Sequence, residues 1–191
     1  MTSILREHTN DPPAAGVPID DPDIDRSADA ELELLYDEHY VRLVRLAVLL
    51  LRDVGRAEEV VQDSFVAVYQ RWDRLGVLDV PAYLRQTVVN RSRSVLRHLK
   101  VVAQHQSETP MDGPGADHHL LLGVRRKAVI DAMAELPRRQ REVLALRYYL
   151  DLSEREIAET LGISQGAVKS HASRGAASLR RHLSPLLEET S

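Results

Sequence analysis

Gln165, Gly166, Lys169, Ser170, His171 and Arg174 fall within one short stretch of this chain, and their types suit one task, which is holding and reading a polyanion. Glutamine can hydrogen-bond a base edge, a glycine lets backbone approach a phosphate, and lysine and arginine neutralise phosphates or reach guanine. On a helix, Val168, Ala172, Ala176 and Leu179 would turn inward, leaving Gln165, Gly166, Lys169, Ser170, Ser173 and Arg174 on the outer face or its rim. A second set, Gln86, Asn90, Arg93 and Arg97, recurs at helical spacing inside Pro81 to Ser107, a stretch without a single acid. Amides again suit base edges and arginines suit phosphates. Arg91, between Val88 and Val95, falls nearer the apolar face and reads as structural. Trp72 and Tyr83 read as core aromatics rather than as base-stacking platforms. None of this is chemistry on a covalent bond.

The first set needs a rigid mount, and the residues before it supply one. Ser153 with Glu156 makes a capping box, and Leu152 is placed to staple onto Ile157. Gly162 sits where that helix must stop, Ser164 caps the next one, and Ile163 and Val168 repeat the staple. Two capped helices with so short a joint form a helix-turn-helix, whose second helix lies in the DNA major groove with Gln165 at its reading end.

Composition narrows the rest. The 191 residues have room for one medium domain or two small ones, and the scarcity of Phe and Trp beside abundant Leu, Val, Ala and Arg favours an all-helical build. With no cysteine, disulfides, thiolate metal sites and cysteine catalysis are excluded. The longest apolar run, Leu46 to Leu51, is far short of the ~20 residues that span a bilayer, and the N-terminus lacks the order of a signal peptide, so a cytoplasmic protein without membrane insertion is expected. The net charge of −4 hides an uneven placement: acids crowd Met1 to Leu35, whereas Pro81 to Ser107 and Val124 to Leu183 are basic. Acidic tails on basic helical modules occur in nucleic-acid binders.

The expected fold is all-α: two small helical domains joined by a flexible linker, the C-terminal one containing the helix-turn-helix. Residues 1–28 read as a disordered acidic tail. Residues 29–100 hold three amphipathic helices: one to about Leu51, broken at Asp53 or Gly55; one on Ala57, Val60, Val61, Phe65, Val68 and Trp72; and one from Pro81 to about Leu99. The stretch Leu75 to Val80 is a loop. Residues 101–119, with Pro110, Gly113 and Pro114, read as the linker. Its His118 and His119 beside Asp117 read as solvated rather than as metal ligands. Residues 120–184 hold four helices, about Leu120–Glu135, Pro137–Leu150, Ser153–Leu161 and Ser164–Leu183, and Pro185 opens a short C-terminal tail, 185–191.

These strings resemble a known family. Tyr36-Asp37-Glu38-His39-Tyr40, then Ala57-Glu58-Glu59-Val60-Val61-Gln62-Asp63-Ser64-Phe65, then Pro81-Ala82-Tyr83-Leu84 leading to Asn90-Arg91 are similar to region 2 of a bacterial RNA polymerase sigma factor of the extracytoplasmic-function (ECF), sigma-E-like type. Leu136-Pro137-Arg138-Arg139-Gln140-Arg141-Glu142-Val143 and the helix-turn-helix are similar to region 4. The resemblance implies an alternative sigma factor rather than an enzyme, one that binds core RNA polymerase through its largest-subunit coiled coil and its flap and directs initiation at chosen promoters. It implies that region 2 melts the minus-ten element, with the Leu75-to-Val80 loop and Gln86, Asn90, Arg93 and Arg97 capturing extruded bases. It implies that region 4 reads the minus-thirty-five element through Gln165, Gly166, Lys169, Ser170, His171 and Arg174. Glu58, Glu59, Gln62 and Asp63, opposite the apolar stripe of the second helix, would dock on the coiled coil, although such charges also serve merely as a solvated face. No cofactor or metal is implied, and an anti-sigma factor is a further partner open to such a protein. His171 stands where many relatives have arginine, so no promoter sequence is carried over.

Two rivals remain on sequence. A LuxR-type regulator also places a lysine and a histidine near Lys169 and His171, but its sensory or receiver domain alternates strands with helices, unlike Leu32 to Lys100. An enzyme working through histidine and carboxylates would need ligand spacing, and His39, His98, His105, His118, His119, His171 and His182 show none.

Overall fold

The computed structural model describes residues 22–72, 79–105 and 124–188. The expectations for the first part of the acidic tail, most of the Leu75-to-Val80 loop, the linker with His118 and His119, and the last three residues fall outside that range. The described residues contain seven α-helices and no strand.

α1 (Pro22–Leu51), α2 (Val54–Tyr69) and α3 (Val80–His105) form a first bundle. α1 ends at Arg52, whose φ of 62° is left-handed. Asp53 then caps α2 in an extended conformation, its carboxylate accepting the Arg56 backbone N–H at 2.9 Å. The break is therefore made by an N-cap rather than by Gly55. Leu43, Leu46, Ala47 and Leu50 from α1 meet Ala57, Val60, Val61, Phe65 and Val68 from α2 and Leu84, Val88 and Val89 from α3. Each stripe follows helical spacing, and full burial of each leucine contributes ~1.5–3 kcal/mol. Buried Ser64 and Ser92 donate to the carbonyls of Val60 and Val88 at 2.7 and 2.8 Å, so the helices pack closely without stranding a hydroxyl.

Two limits of this bundle differ from expectation. α1 begins at Pro22, inside the stretch read as disordered. A proline followed by Asp23 and Asp25 is a composition that suits a helix start, with φ preset and acids near the positive end of the dipole. α3 runs on to His105, through residues 101–105 that were assigned to the linker; no breaker interrupts it before Pro110.

α4 (Val124–Ala134), α5 (Arg138–Leu144), α6 (Glu154–Leu161) and α7 (Gln165–Glu188) make the second bundle. The helix expected over Pro137–Leu150 is not uniform: from Ala145 to Tyr149 it widens into a π-turn, the Leu150 N–H reaching the Ala145 carbonyl at 3.3 Å. Val143, Leu144, Ala145 and Leu146 are all buried at consecutive positions, because this segment is packed both by α7 and by α1. Asp151, at a φ of 56°, turns the chain out toward α6. Pro185 does not end α7, which continues to Glu188; a proline withdraws one N–H and biases its neighbour but does not by itself force a turn. At Gly175 a Cβ would lie 3.1 Å from both the Gln140 Cβ and the Leu144 Cδ1, so α7 crosses α5 closely and a larger residue there would press on both side chains.

The two bundles touch. Their buried apolar residues form one continuous set from Leu35 to Ala172, with the end of α1 against α4 and the π-turn, and α3 against α6.

Candidate nucleic-acid interface

The helix-turn-helix is built as its caps dictate. Ser153 donates from its backbone N–H to Glu156 Oε2 at 2.9 Å and from its hydroxyl at 2.6 Å, while its Oγ accepts the Glu156 N–H at 3.3 Å. These bonds, the Ser153 hydroxyl first, hold the Glu156 carboxyl below the usual carboxylate range, with Arg85 and Arg155 adding to the effect. Gly162 stops α6 at a φ of 64°, and the Ile163 N–H closes on the Ala158 carbonyl at 3.0 Å. Ser164 then accepts the Ala167 N–H at 3.2 Å, opening α7. Ile157 and Val168 are fully buried, with Leu152 and Ile163 half-buried beside them, the arrangement expected of two staples.

This mount presents Gln165, Gly166, Lys169, Ser170 and Arg174 to solvent on one side of α7, with Val168 and Ala172 buried on the other. A Cβ on Gly166 would meet only the Ser164 Oγ, at 3.9 Å, so its openness serves the outer face rather than internal packing. Lys169 Nζ lies 3.6 Å from Glu154 Oε2, and Arg174 folds back to the Ser170 hydroxyl at 2.8 Å. Exposed pairs of this kind are worth ~0–1 kcal/mol and are readily exchanged for a phosphate. His171 differs from the other five: it is half-buried, and its Nδ1 is enclosed without a hydrogen-bond partner. A cleft beside the α7 N-terminus is lined by Arg155, Gly162, Ser164 and Gln165. Arg155, on α6, is an exposed cation that sequence reasoning passed over. Its signal was its place on the first helix of the motif, which crosses the DNA backbone.

On α3, Gln86, Asn90, Arg93 and Arg97 follow one another along a single face. Asn90 and Arg97 are exposed, Gln86 is half-buried, and Arg93 keeps only 14% of its side chain exposed. Arg93 donates to Asn90 Oδ1 at 3.1 Å and forms a two-pronged pair with Glu142 of the second bundle, at 2.8 and 2.9 Å. Trp72 and Tyr83 are half-buried against the core, and Arg71 donates to the Tyr83 hydroxyl. On α2, Glu59, Gln62 and Asp63 are exposed and Glu58 is half-buried. Asp63 accepts from Arg91 Nη1 at 3.0 Å, so Arg91 ties α3 to α2.

The Sigma-70 region 2 family matches residues 35–101, and the Sigma-70, region 4 family matches residues 126–179. The chain is 32% identical over 163 residues to the ECF RNA polymerase sigma factor SigL of Mycobacterium tuberculosis, covering 82% of this chain and 91% of that one. It belongs to the ECF sigma factors. It is likewise 32% identical to the RNA polymerase sigma-E factor of Streptomyces coelicolor, over 79% of this chain and 88% of that one. The sigma factor RpoE of Bartonella quintana, solved in complex with the anti-sigma factor NepR, has the same fold, with a TM-score of 0.64 and 21% identity over 83% of this chain and 98% of that one. CnrH, solved with the cytosolic domain of CnrY, shares it at a TM-score of 0.63 and 24% identity, over 87% and 96% of the two chains. As a sigma factor, the protein binds core RNA polymerase and directs promoter-specific initiation. The region 2 match over the first bundle disfavours a LuxR-type regulator. Among the described residues there is no group of three His, Asp or Glu side chains placed to hold a metal, and no helix long and apolar enough to cross a membrane.

Proposed function

We propose that the sigma factor divides its work between its bundles at residue level. Residues 29–100 act as the polymerase-gripping and strand-opening domain, and residues 120–184 as the duplex-reading domain. On α7, Gln165 and Ser170 face base edges, Gly166 admits the backbone, and Lys169 and Arg174 hold phosphates or guanine. His171 contributes from the rim. On α3, Gln86, Asn90, Arg93 and Arg97 hold the melted minus-ten strand. Glu58, Glu59, Gln62 and Asp63 meet the coiled coil of the polymerase largest subunit, and the second bundle meets the flap. The observation that carries this reading is the α7 surface: Gln165, Lys169, Ser170 and Arg174, with Gly166 among them, are exposed on one side of a helix capped by Ser164, opposite buried Val168 and Ala172.

The chain performs no covalent chemistry in this scheme; the polymerase supplies it, and the site of action is the cytoplasm. An anti-sigma partner, of the kind solved with the Bartonella quintana RpoE, would act by covering these same surfaces. Run-off transcription with sigma-free core polymerase on a genomic promoter library tests the assignment. Start sites should share paired upstream elements, and Lys169→Ala should lose them while the protein still associates with polymerase. Unchanged promoter choice in that variant would remove α7 as the reader.

A further inference from the structure

Among the residues assigned to the DNA-holding surface of α7, His171 is the half-buried one, and its two ring nitrogens have different surroundings. It sits on the border of the helix. Val168, three residues before it, and Gly175, four after it, are buried, whereas Ser170 and Arg174 are exposed. Gly175 is where α7 presses on Gln140 and Leu144 of α5, so that flank faces protein. Nδ1 is enclosed with no hydrogen-bond partner among the described residues, and Nε2 is not enclosed.

The enclosure decides where the ring carries its hydrogen. A hydrogen on Nδ1 would be a donor shut away from any acceptor, which folded proteins rarely tolerate. A bare ring nitrogen in that place is the lesser cost. The hydrogen therefore belongs on Nε2, at the edge that the helix leaves open. Lys169 and Arg174 bring charge along with their donors, and Arg174 is turned to Ser170, toward its hydroxyl at 2.8 Å and its carbonyl at 3.3 Å. His171, with Nδ1 bare, brings one donor and no charge. The border of a helix lying in the major groove faces the groove wall, where the acceptors are phosphate oxygens.

We propose that His171 is an uncharged phosphate contact, a fixed Nε2–H donor that seats α7 in the groove without displacing a counterion. This rests on the reading of α7 as the duplex reader. The test uses the full chain and an upstream duplex chosen by run-off selection. His171→Gln sets an amide N–H near the place of Nε2 and should bind within about twofold of wild type. His171→Ala should bind about tenfold more weakly, as expected for one hydrogen bond to a charged group, with the salt slope unchanged. His171→Arg should steepen that slope by about one. Wild-type affinity in His171→Ala overturns the proposal. So does a slope that flattens by about one in the same variant, which would make the histidine a cation. A methylphosphonate at one phosphate should erase the difference between wild type and His171→Ala. Erasure by a purine analogue lacking its major-groove nitrogen instead overturns the assignment to the backbone. The place of the hydrogen is read without DNA, from the nitrogen spectrum of histidine-labelled protein. The signals that His171→Gln removes should show a protonated Nε2 and a bare Nδ1, and any other pattern overturns the proposal. Lys169→Ala separates the two readings. Wild-type affinity in that variant and in His171→Ala alike refutes α7 as the reader, whereas a loss in Lys169→Ala alone refutes only the role of His171.

Discussion

α7 and α3 each present a row of amide and basic side chains, and the two rows are in opposite states. The α7 row is open to solvent, its cations held only by weak exposed contacts to Glu154 and Ser170. The α3 row is partly taken up by the protein itself, through a buried pair to Glu142. On the proposed reading of α7, double-stranded DNA would meet the first row as it stands. On the proposed reading of α3, a melted strand would reach Arg93 only in exchange for Glu142. The difference fits the order of events at a promoter, where duplex is available before single strand.

The most severe way to break the comparison is to remove the platform of the open row. Ile157 is fully buried under α6 and α7. Ile157→Ala should cost ~2–5 kcal/mol in urea unfolding and abolish duplex binding, since both capped helices lose their common core. Truncating Val88, fully buried in the first bundle, should spare duplex binding wherever the second bundle stays folded.

Next in size, Lys169→Ala and Arg174→Ala should each weaken binding to upstream duplex by ~1–3 kcal/mol where they reach a base, and should flatten the salt dependence by about one charge where they hold phosphate. Arg93→Ala should leave this assay unchanged. Fluorescence anisotropy across a salt series separates the three variants. A loss of duplex affinity in Arg93→Ala would erase the contrast between the rows.

Much of this was legible because it is local. The capping box, the glycine stop and the apolar stripes follow from residues three and four apart, and those rules place α6 and the start of α7 to within a residue. The same rules failed where distant packing decides. Nothing near Ala145 announces the π-turn, which packs against α1 and α6, elements distant in sequence or beyond the next turn. Gly175 reads as an ordinary weak helix residue until Gln140 and Leu144 are seen against it. Arg93 and Glu142 lie 49 positions apart and were assigned to separate domains. Asp23 and Asp25 were read as part of an acidic tail, when the same residues also suit a helix start.

A smaller effect tests the mount rather than the row. Ser153→Ala should cost ~1 kcal/mol by removing the N-cap. The Glu156 carboxyl in the folded protein lies below its ordinary value, so its contribution is complete above the usual carboxylate range and is lost as pH falls through the lowered value. Wild type should therefore lose more stability than Ser153→Ala on acidification below that range. Parallel pH profiles would mean that the bonds to Ser153 do not hold the carboxylate down.

The smallest expected stability change is also the most discriminating for the polymerase face. Asp63 pairs with Arg91 at 3.0 Å, with 60% and 39% of the respective side chains exposed, and such pairs contribute ~0–1 kcal/mol. Asp63→Asn should barely shift the unfolding midpoint, and so should Arg91→Gln. If Asp63 serves only to tie α2 to α3, polymerase association should fall equally in both variants and no further in the double variant. If it meets a basic surface of the polymerase, Asp63→Asn and Glu59→Lys should slow association while Arg91→Gln leaves it intact or speeds it by freeing the carboxylate. The second outcome is expected, because a carboxylate already solvent-exposed beside one cation loses little by exchanging it for another.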